Sequence, residues 1–417
     1  MNGIATITDV LLVPAVGGYY YDDLAALQSR PMSIAEMYTA APVTPGFRKV
    51  REVAEAVSVG LVLDGRTVAW GDCVAVAYSG KAGRHPVFRT RAGMETLRRV
   101  VVPVLQGRAV TRFRDMAAEL DRLTDAEGEP LHTAIRFGVS QTLLEAVALS
   151  RGATMAEVIA DEYDLPRPEA PVPTHAQSGA ERYKNADKMI IRRVASLPHA
   201  LVDNIPQQLG NEGGVLLEYA RWLRQRIATL GGPDYHPTVH LDVHGTLGII
   251  FEHDLDRVVD YAAALEKAVH PYPLRLESAV IMESREAQIE AFSALREIAQ
   301  TRGLQVQWVV DEWANTLEDI QAFVDVHAAD MVQIKMPDLG SVHNSIEAVL
   351  ACRRGGVGAF LGGSCAETGR SARVAVHVAL AARAEIIMAK PGMGVDEAVM
   401  LTQNEMARTL AWIRSRG

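Results

Sequence analysis

Four apolar runs in the second half of the chain each end in a side chain that could do chemistry. The run 239–242 closes on Asp242, 274–277 on Glu277, 308–311 on Asp311, and 331–335 on Lys335, with Gln333 two residues earlier. Three carboxylates brought together repel one another unless a cation sits among them. An all-oxygen set suits Mg2+, which takes few protein carboxylates and leaves positions for water or substrate. Gln333 and Lys335 share one strand face, because side chains alternate with period two. A lysine beside a divalent cation is favoured in its neutral form and can then remove a proton. Taken singly, a strand-end acid is ordinarily a cap or a solvated charge. The residues alone therefore leave open both a metal-assisted proton abstraction and a set of ordinary loop charges.

The elements that would position these residues form a repeating pattern. Short apolar runs at 172–177, 189–192, 239–243, 274–277, 306–311, 331–335, 358–361 and 385–389 read as eight strands. Amphipathic stretches at 215–230, 255–268, 284–302 and 317–327 read as helices between them. Eight strands alternating with helices predict a parallel (β/α) barrel, with a doubly wound open sheet as the alternative. From Asp242 to Glu277, Glu277 to Asp311 and Asp311 to Lys335 the chain runs 35, 34 and 24 residues, room for one crossover each. In such a barrel the C-terminal strand ends converge on one face, where active sites are built.

The first part has a different texture. Residues 58–63 and 67–72 flank Asp64-Gly65, a hairpin signal. Helical spacing follows over 91–124 and again over 132–160, where Ile135, Val139, Leu143 and Val147 share a face. Four prolines at 165–173 cannot sit in a helix interior and predict a linker. The expected division is an α+β domain over 1–170 and a barrel over 171–417.

Composition narrows the function classes. The 417 residues carry a net charge of −9, so the overall basic footprint of a nucleic-acid binder is absent. Apolar residues make up 48%, enough for a sizeable core, yet no uninterrupted run approaches the roughly 18 residues of a membrane span. Residues 10–16 are apolar in patches but lack a basic flank, so no signal peptide is read there. Cys73, Cys352 and Cys365 are few, odd in number and far apart, which argues against a disulfide framework or a cysteine-rich zinc site and for a cytoplasmic setting. There is no GxGxxG dinucleotide loop, no Walker A loop and no GxSxG elbow.

The segments 131–136, 176–179, 187–191, 197–201, 331–335 and 389–397 together resemble methylaspartate ammonia-lyase, a family of the enolase superfamily. The similarity runs along almost the whole chain. It implies a modified TIM barrel with an N-terminal α+β capping domain. It implies Mg2+-assisted, reversible elimination of ammonia from (2S,3S)-3-methylaspartate to mesaconate. Asp242, Glu277 and Asp311 match the family's Mg2+ ligands, and Lys335 matches the base at C3. His199 matches the residue on the opposite face that serves the other C3 epimer. Gln177, Gln333, Ser364 and Cys365 match substrate-binding positions, Cys365 through its backbone N–H. A homodimer and activation by a monovalent cation such as K+ are also implied. The family lacks the two-lysine strand of some superfamily relatives; read as the second strand, 189–192 agrees.

Departures from the family pattern fall around the substrate. Ala77 stands for a glutamine, Ser364 for a threonine, Phe360 for a tyrosine and Met388 for a leucine, while Ala366 and Gly369 replace asparagines. The metal ligands and the two bases are kept. These changes raise the expectation of a wall edited for a different amine or 3-substituent, against neutral drift. An epimerase on the same scaffold is the other alternative.

Overall fold

The computed structural model describes residues 5–30, 32–179 and 181–416. Three antiparallel strands open it: β1 (Ile7–Asp22), β2 (Arg51–Leu63) and β3 (Thr67–Cys73), in the order β1-β2-β3. The β2–β3 turn is the expected hairpin, with Asp64 and Gly65 both left-handed at φ 49° and 66°. β1 has no counterpart in the sequence reading. Pro14 and the pair Gly17-Gly18 interrupt its pattern, yet an edge strand tolerates the proline, and the register shifts between Val16 and Tyr20. Gly18 has a positional reason: a Cβ there would stand 2.3 Å from the Glu367 carbonyl, where β1 meets the barrel.

The stretch 91–124 is not one helix. It breaks into Thr90–Thr96, a π turn at Leu97–Val101, Val102–Leu105 and Phe113–Asp121. The stretch 132–160 splits into Thr133–Arg151 and Met155–Glu162. Gly152 ends the first at φ 59°, and a Thr154–Glu157 capping box opens the second. The proline-rich segment carries no regular element and leads into the first barrel strand.

The second part closes on itself. β4 (Thr174–His175), β5 (Ser196–His199), β6 (Thr238–Asp242), β7 (Leu274–Glu277), β8 (Gln307–Val310), β9 (Met331–Ile334), β10 (Gly358–Leu361) and β11 (Ile386–Met388) form one closed barrel. Neighbouring strands run parallel all the way round. Closure removes the open-sheet alternative.

Seven of the eight strand expectations fall on or around a strand. The run 189–192 does not: it lies in and just beyond the helix Arg182–Ile191. Met189 and Ile190 face the core with Ala186 while Ile191 is exposed, a helical face whose apolar run imitates a strand. The second barrel strand is instead Ser196–His199, masked in sequence by Pro198. Among the described residues no helix is long and apolar enough to cross a membrane.

Candidate active site

The C-terminal ends of the parallel strands supply most of the side chains singled out above. Asp242 and Glu277 are the last residues of β6 and β7 and pair directly in register. Asp311 and Lys335 are the first residues after β8 and β9. His199 ends β5, Gln177 follows β4 by two residues, and Ser364 and Cys365 lie in the loop after β10. His199, Ala200 and Leu201 all hold positive φ (65°, 67° and 32°), a strained run that survives only where surrounding contacts fix it.

Each of the three carboxylates is met by its own donors. Asp242 lies 3.3 Å from His199 Nε2 and accepts from the His244 backbone N–H at 3.0 Å. Glu277 lies 2.6 Å from His240 Nε2 and accepts from Gln333 Nε2. Asp311 pairs with Lys335 and, at 3.4 Å, with Arg84 Nη2. Arg84 Nε also donates to Asp338 at 2.9 Å. Glu312 completes the acidic set, accepting from Ser278 Oγ at 2.5 Å.

Burial and repulsion by Asp242 and Asp311 push the Glu277 carboxyl well above its ordinary value. For Asp242, burial works against the charged form, but hydrogen bonds from His199 and His244 outweigh it and hold the carboxyl well below the usual range. Burial also disfavours the Lys335 ammonium; Asp311 outweighs it, and the lysine is raised. Five buried carboxyl groups therefore face three basic side chains: Arg84, Lys335 and His244, whose charged form burial disfavours but Asp242 supports, raising its pKa to about 9. A crowd of buried acids with so few cations is the donor chemistry that accommodates a divalent ion.

A second set of metal-capable atoms lies deeper. His199, His240 and Glu277 each bring a ligand atom within 4.8 Å of the others. His240 Nε2 already makes its short contact with Glu277, and its ring packs on His175 and Phe360 at 4.6 and 5.3 Å between centroids. It reads as a support that orients the Glu277 carboxylate.

A cavity sits above these groups, with Gln177, His199, Asp242, Gln333 and Lys335 on its barrel side. Ser364 and Cys365 line it from the loop after β10. The cap contributes Ala77, Tyr78 and Arg84. The Ala77 N–H donates to Ser364 Oγ at 2.7 Å, and Gly18 N–H to the Ala366 carbonyl at 2.9 Å, so the cap seats directly on this loop. A buried ion pair carries the loop from below. Lys390 Nζ donates to the Gly362 carbonyl at 2.9 Å and lies 3.0 Å from Glu367 Oε1, while Glu367 Oε2 accepts from Ser364 N–H at 2.8 Å. The Cys365 thiol donates to Tyr20 OH at 3.5 Å, and burial pushes its pKa up to about 11, unsuited to a nucleophile.

The edited wall proves smaller than the sequence comparison suggests. Ala77 and Ser364 line the cavity, but Phe360 and Met388 do not. They pack inside the barrel with Val309, Met331 and Ile386. Several residues of the site went unread. Arg84 comes from a cap loop 227 residues from Asp311, and nothing local marks it. His175 and His240 stand two residues before Gln177 and Asp242, so strand alternation alone could have placed them on the inward face.

The Arg84 network makes a test. Replacing Arg84 with methionine leaves Asp338 and part of Asp311 without a buried cationic partner. The expected cost is about 3 kcal/mol of stability, read by urea unfolding at fixed Mg2+. An unchanged unfolding midpoint refutes the bridging role.

Residues 5–164 match the family described as methylaspartate ammonia-lyase N-terminus, and residues 168–415 match its C-terminus. Methylaspartate ammonia-lyase 2 of Carboxydothermus hydrogenoformans is 47% identical over 411 residues, covering 99% of both chains. The Mg complex of beta-methylaspartase from Clostridium tetanomorphum superposes with a TM-score of 0.92 at 46% identity, over 99% of this chain and 100% of that one. The Citrobacter amalonaticus methylaspartate ammonia lyase containing (2S,3S)-3-methylaspartic acid gives 0.95 at 44% identity, over 98% and 100%. A muconate lactonizing enzyme from Pseudomonas fluorescens, at 14% identity and a TM-score of 0.62, shares the fold.

Proposed function

The chain belongs to the methylaspartate ammonia-lyase family, and from that premise we propose how its residues divide the work of elimination. It is a carbon–nitrogen lyase of the enolase-superfamily type, releasing ammonia from 3-methylaspartate to give mesaconate. The observation that supports the assignment of roles is that Asp242, Glu277, Asp311 and Lys335 stand at successive strand ends, with His199 lining the same cavity as Asp242 and Lys335.

Lys335 is the base that takes the C3 proton of the (2S,3S) substrate. The electron pair of that C–H bond becomes the C2–C3 double bond, and the C2–N bond breaks with its pair leaving on nitrogen. His199 serves the (2S,3R) epimer from the other side. Asp242, Glu277 and Asp311 hold Mg2+, which when bound supplies positive charge beside the carboxylate where negative charge builds. Hard oxygen donors favour Mg2+ over the mixed nitrogen and oxygen set formed with His240.

Gln177 and Gln333 orient the substrate. Gln333 Oε1 is buried with no hydrogen-bond partner among the described residues, so it has an acceptor to offer. Ser364, and Cys365 through its backbone N–H, hold the second carboxylate. Tyr78 and Arg84 close the cap side against water. We place the cap at 1–170 and the barrel at 171–417, take the working form as a cytoplasmic homodimer, and assign monovalent activation to K+.

The experiment is a steady-state assay with Mg2+, following mesaconate absorbance and ammonia together. Plain (2S,3S)-3-methylaspartate is expected to outperform N-substituted and larger 3-substituted aspartates. A substituted aspartate turned over much faster reverses the substrate assignment, and formation of the C3 epimer without ammonia release makes the protein an epimerase.

A further inference from the structure

None of the steps above uses the Lys390-Pro391-Gly392 motif. Lys390 stands two residues past β11, where the Ala389 N–H donates to the His175 carbonyl at 2.9 Å and fixes the strand end. Lys390 is 1% exposed and does not line the cavity, whereas Pro391 does. Its ammonium, 2.9 Å from the Gly362 carbonyl and 3.0 Å from Glu367 Oε1, therefore lies one layer behind the wall. Glu367 is fully buried as well, so the two charges offset one another there.

The pair grips the loop at both ends. Gly362 is the first residue after β10, and Lys390 takes its carbonyl. Glu367 Oε2 takes the Ser364 N–H at 2.8 Å, and the Glu367 N–H returns to the Ser364 carbonyl at 3.2 Å. Gly392 abuts the Cys365 carbonyl so closely that a Cβ would stand 2.0 Å from it. The Ser364 amide is thus already engaged within the loop. The Ser364 hydroxyl accepts from the Ala77 N–H at 2.7 Å, which leaves its own proton to give to an anion in the cavity that it lines. Replacing a buried ion pair by apolar side chains is often neutral for stability, so stability alone does not call for these charges.

We propose that Lys390 and Glu367 are positioning residues that hold the loop 362–367 in its binding shape before substrate arrives, so that the Ser364 hydroxyl and the Cys365 N–H meet the substrate's second carboxylate. The inference rests on the role given to Ser364 and Cys365 above. It separates binding from chemistry. Loosening the loop weakens the hold on substrate and leaves the Mg2+ requirement as it was, since the bonds of the pair go to the loop. A pair that only stiffened the barrel would change the unfolding midpoint and not KM.

The test is steady-state kinetics of the Mg2+-loaded enzyme with (2S,3S)-3-methylaspartate. The double variant Lys390→Met/Glu367→Leu removes both charges together, and with them the acceptor for the Ser364 N–H. It is expected to raise KM at least about tenfold, the worth of a hydrogen bond to a charged group, with kcat falling less. The Mg2+ concentration for half-maximal activity is expected to match wild type. Lys390→Met/Glu367→Gln, which returns the acceptor, is expected to recover most of the rise in KM. An unchanged KM, equal losses in the two double variants, or an equal rise in the Mg2+ requirement overturns the proposal. Ser364→Ala separates the two readings. If it leaves KM unchanged, the role of Ser364 falls, whatever the ion pair does. Should the first double variant not fold, amide hydrogen exchange in the substrate-free wild-type enzyme decides. Exchange at the Ser364 amide as slow as in the barrel strands supports a preset loop, and fast exchange overturns it.

Discussion

Replacing Lys335 with alanine is expected to lower kcat for (2S,3S)-3-methylaspartate by about 10²–10⁴-fold, the span that positioned acid–base groups contribute. The side chain reaches the cavity from the first position after β9, one strand-face step from Gln333, with Asp311 beside it. Among the described residues no second lysine lines that cavity to take its place. Truncation should leave the fold intact, because Asp311 keeps Arg84 as a cationic partner. Reaction of the (2S,3R) epimer, assigned to His199, should fall far less. Steady-state assays of both epimers at saturating Mg2+ give the answer, and a kcat for the (2S,3S) substrate within fivefold of wild type removes Lys335 from the role of base.

Stripping divalent cations should abolish elimination of both epimers, and Mg2+ should restore it. One buried electrostatic stabiliser of a developing negative charge is worth about 10²–10³-fold. Here the same cation also offsets an acidic cluster that Arg84, Lys335 and His244 leave undercompensated. Glu277→Gln probes the centre of that cluster, because Glu277 is fully buried between His240 and Gln333 and adjacent in register to Asp242. The variant is expected to need far more Mg2+ for half-maximal activity, while keeping its hydrogen-bonded place in the wall. Activity titrations after dialysis against chelator measure both effects. Full activity without divalent metal overturns the assignment of the three carboxylates.

Much of this site was legible because a parallel barrel converts sequence position into place. Any polar residue closing an apolar run arrives at the same rim, so Asp242, Glu277, Asp311 and Lys335 could be gathered without coordinates. The reading failed where local pattern and tertiary role diverge. Met189, Ile190 and Ile191 carry a strand-like run inside a helix because only the first two of them face the core. Ser196–His199 pairs as a strand despite Pro198, since its neighbours on both sides fix it. β1 disguises 16 residues of strand behind a proline that its edge position tolerates and two glycines that the barrel loop approaches from hundreds of residues away. Arg84 belongs to the same class: a loop arginine gains meaning only once the cap is seated. Phe360 and Met388 err the other way, differing from the family pattern in the barrel interior, away from the cavity.

The seating of the cap on the loop after β10 has a consequence for how the enzyme is made. The Ala77–Ser364 contact joins positions 287 residues apart, and Tyr20 and Cys365 are separated by 345. At ribosomal speeds of about 5–20 residues per second, the first of these partners waits roughly 15–60 s for the other. No shorter nascent chain contains both walls of the cavity, so catalysis switches on only after Ser364, Cys365 and Lys390 have left the ribosome. Until then the cap must keep its barrel-facing surface out of wrong associations. That demand falls on a sheet whose edge strand, with Pro14 and a shifted register, is a poor template for pairing with strangers.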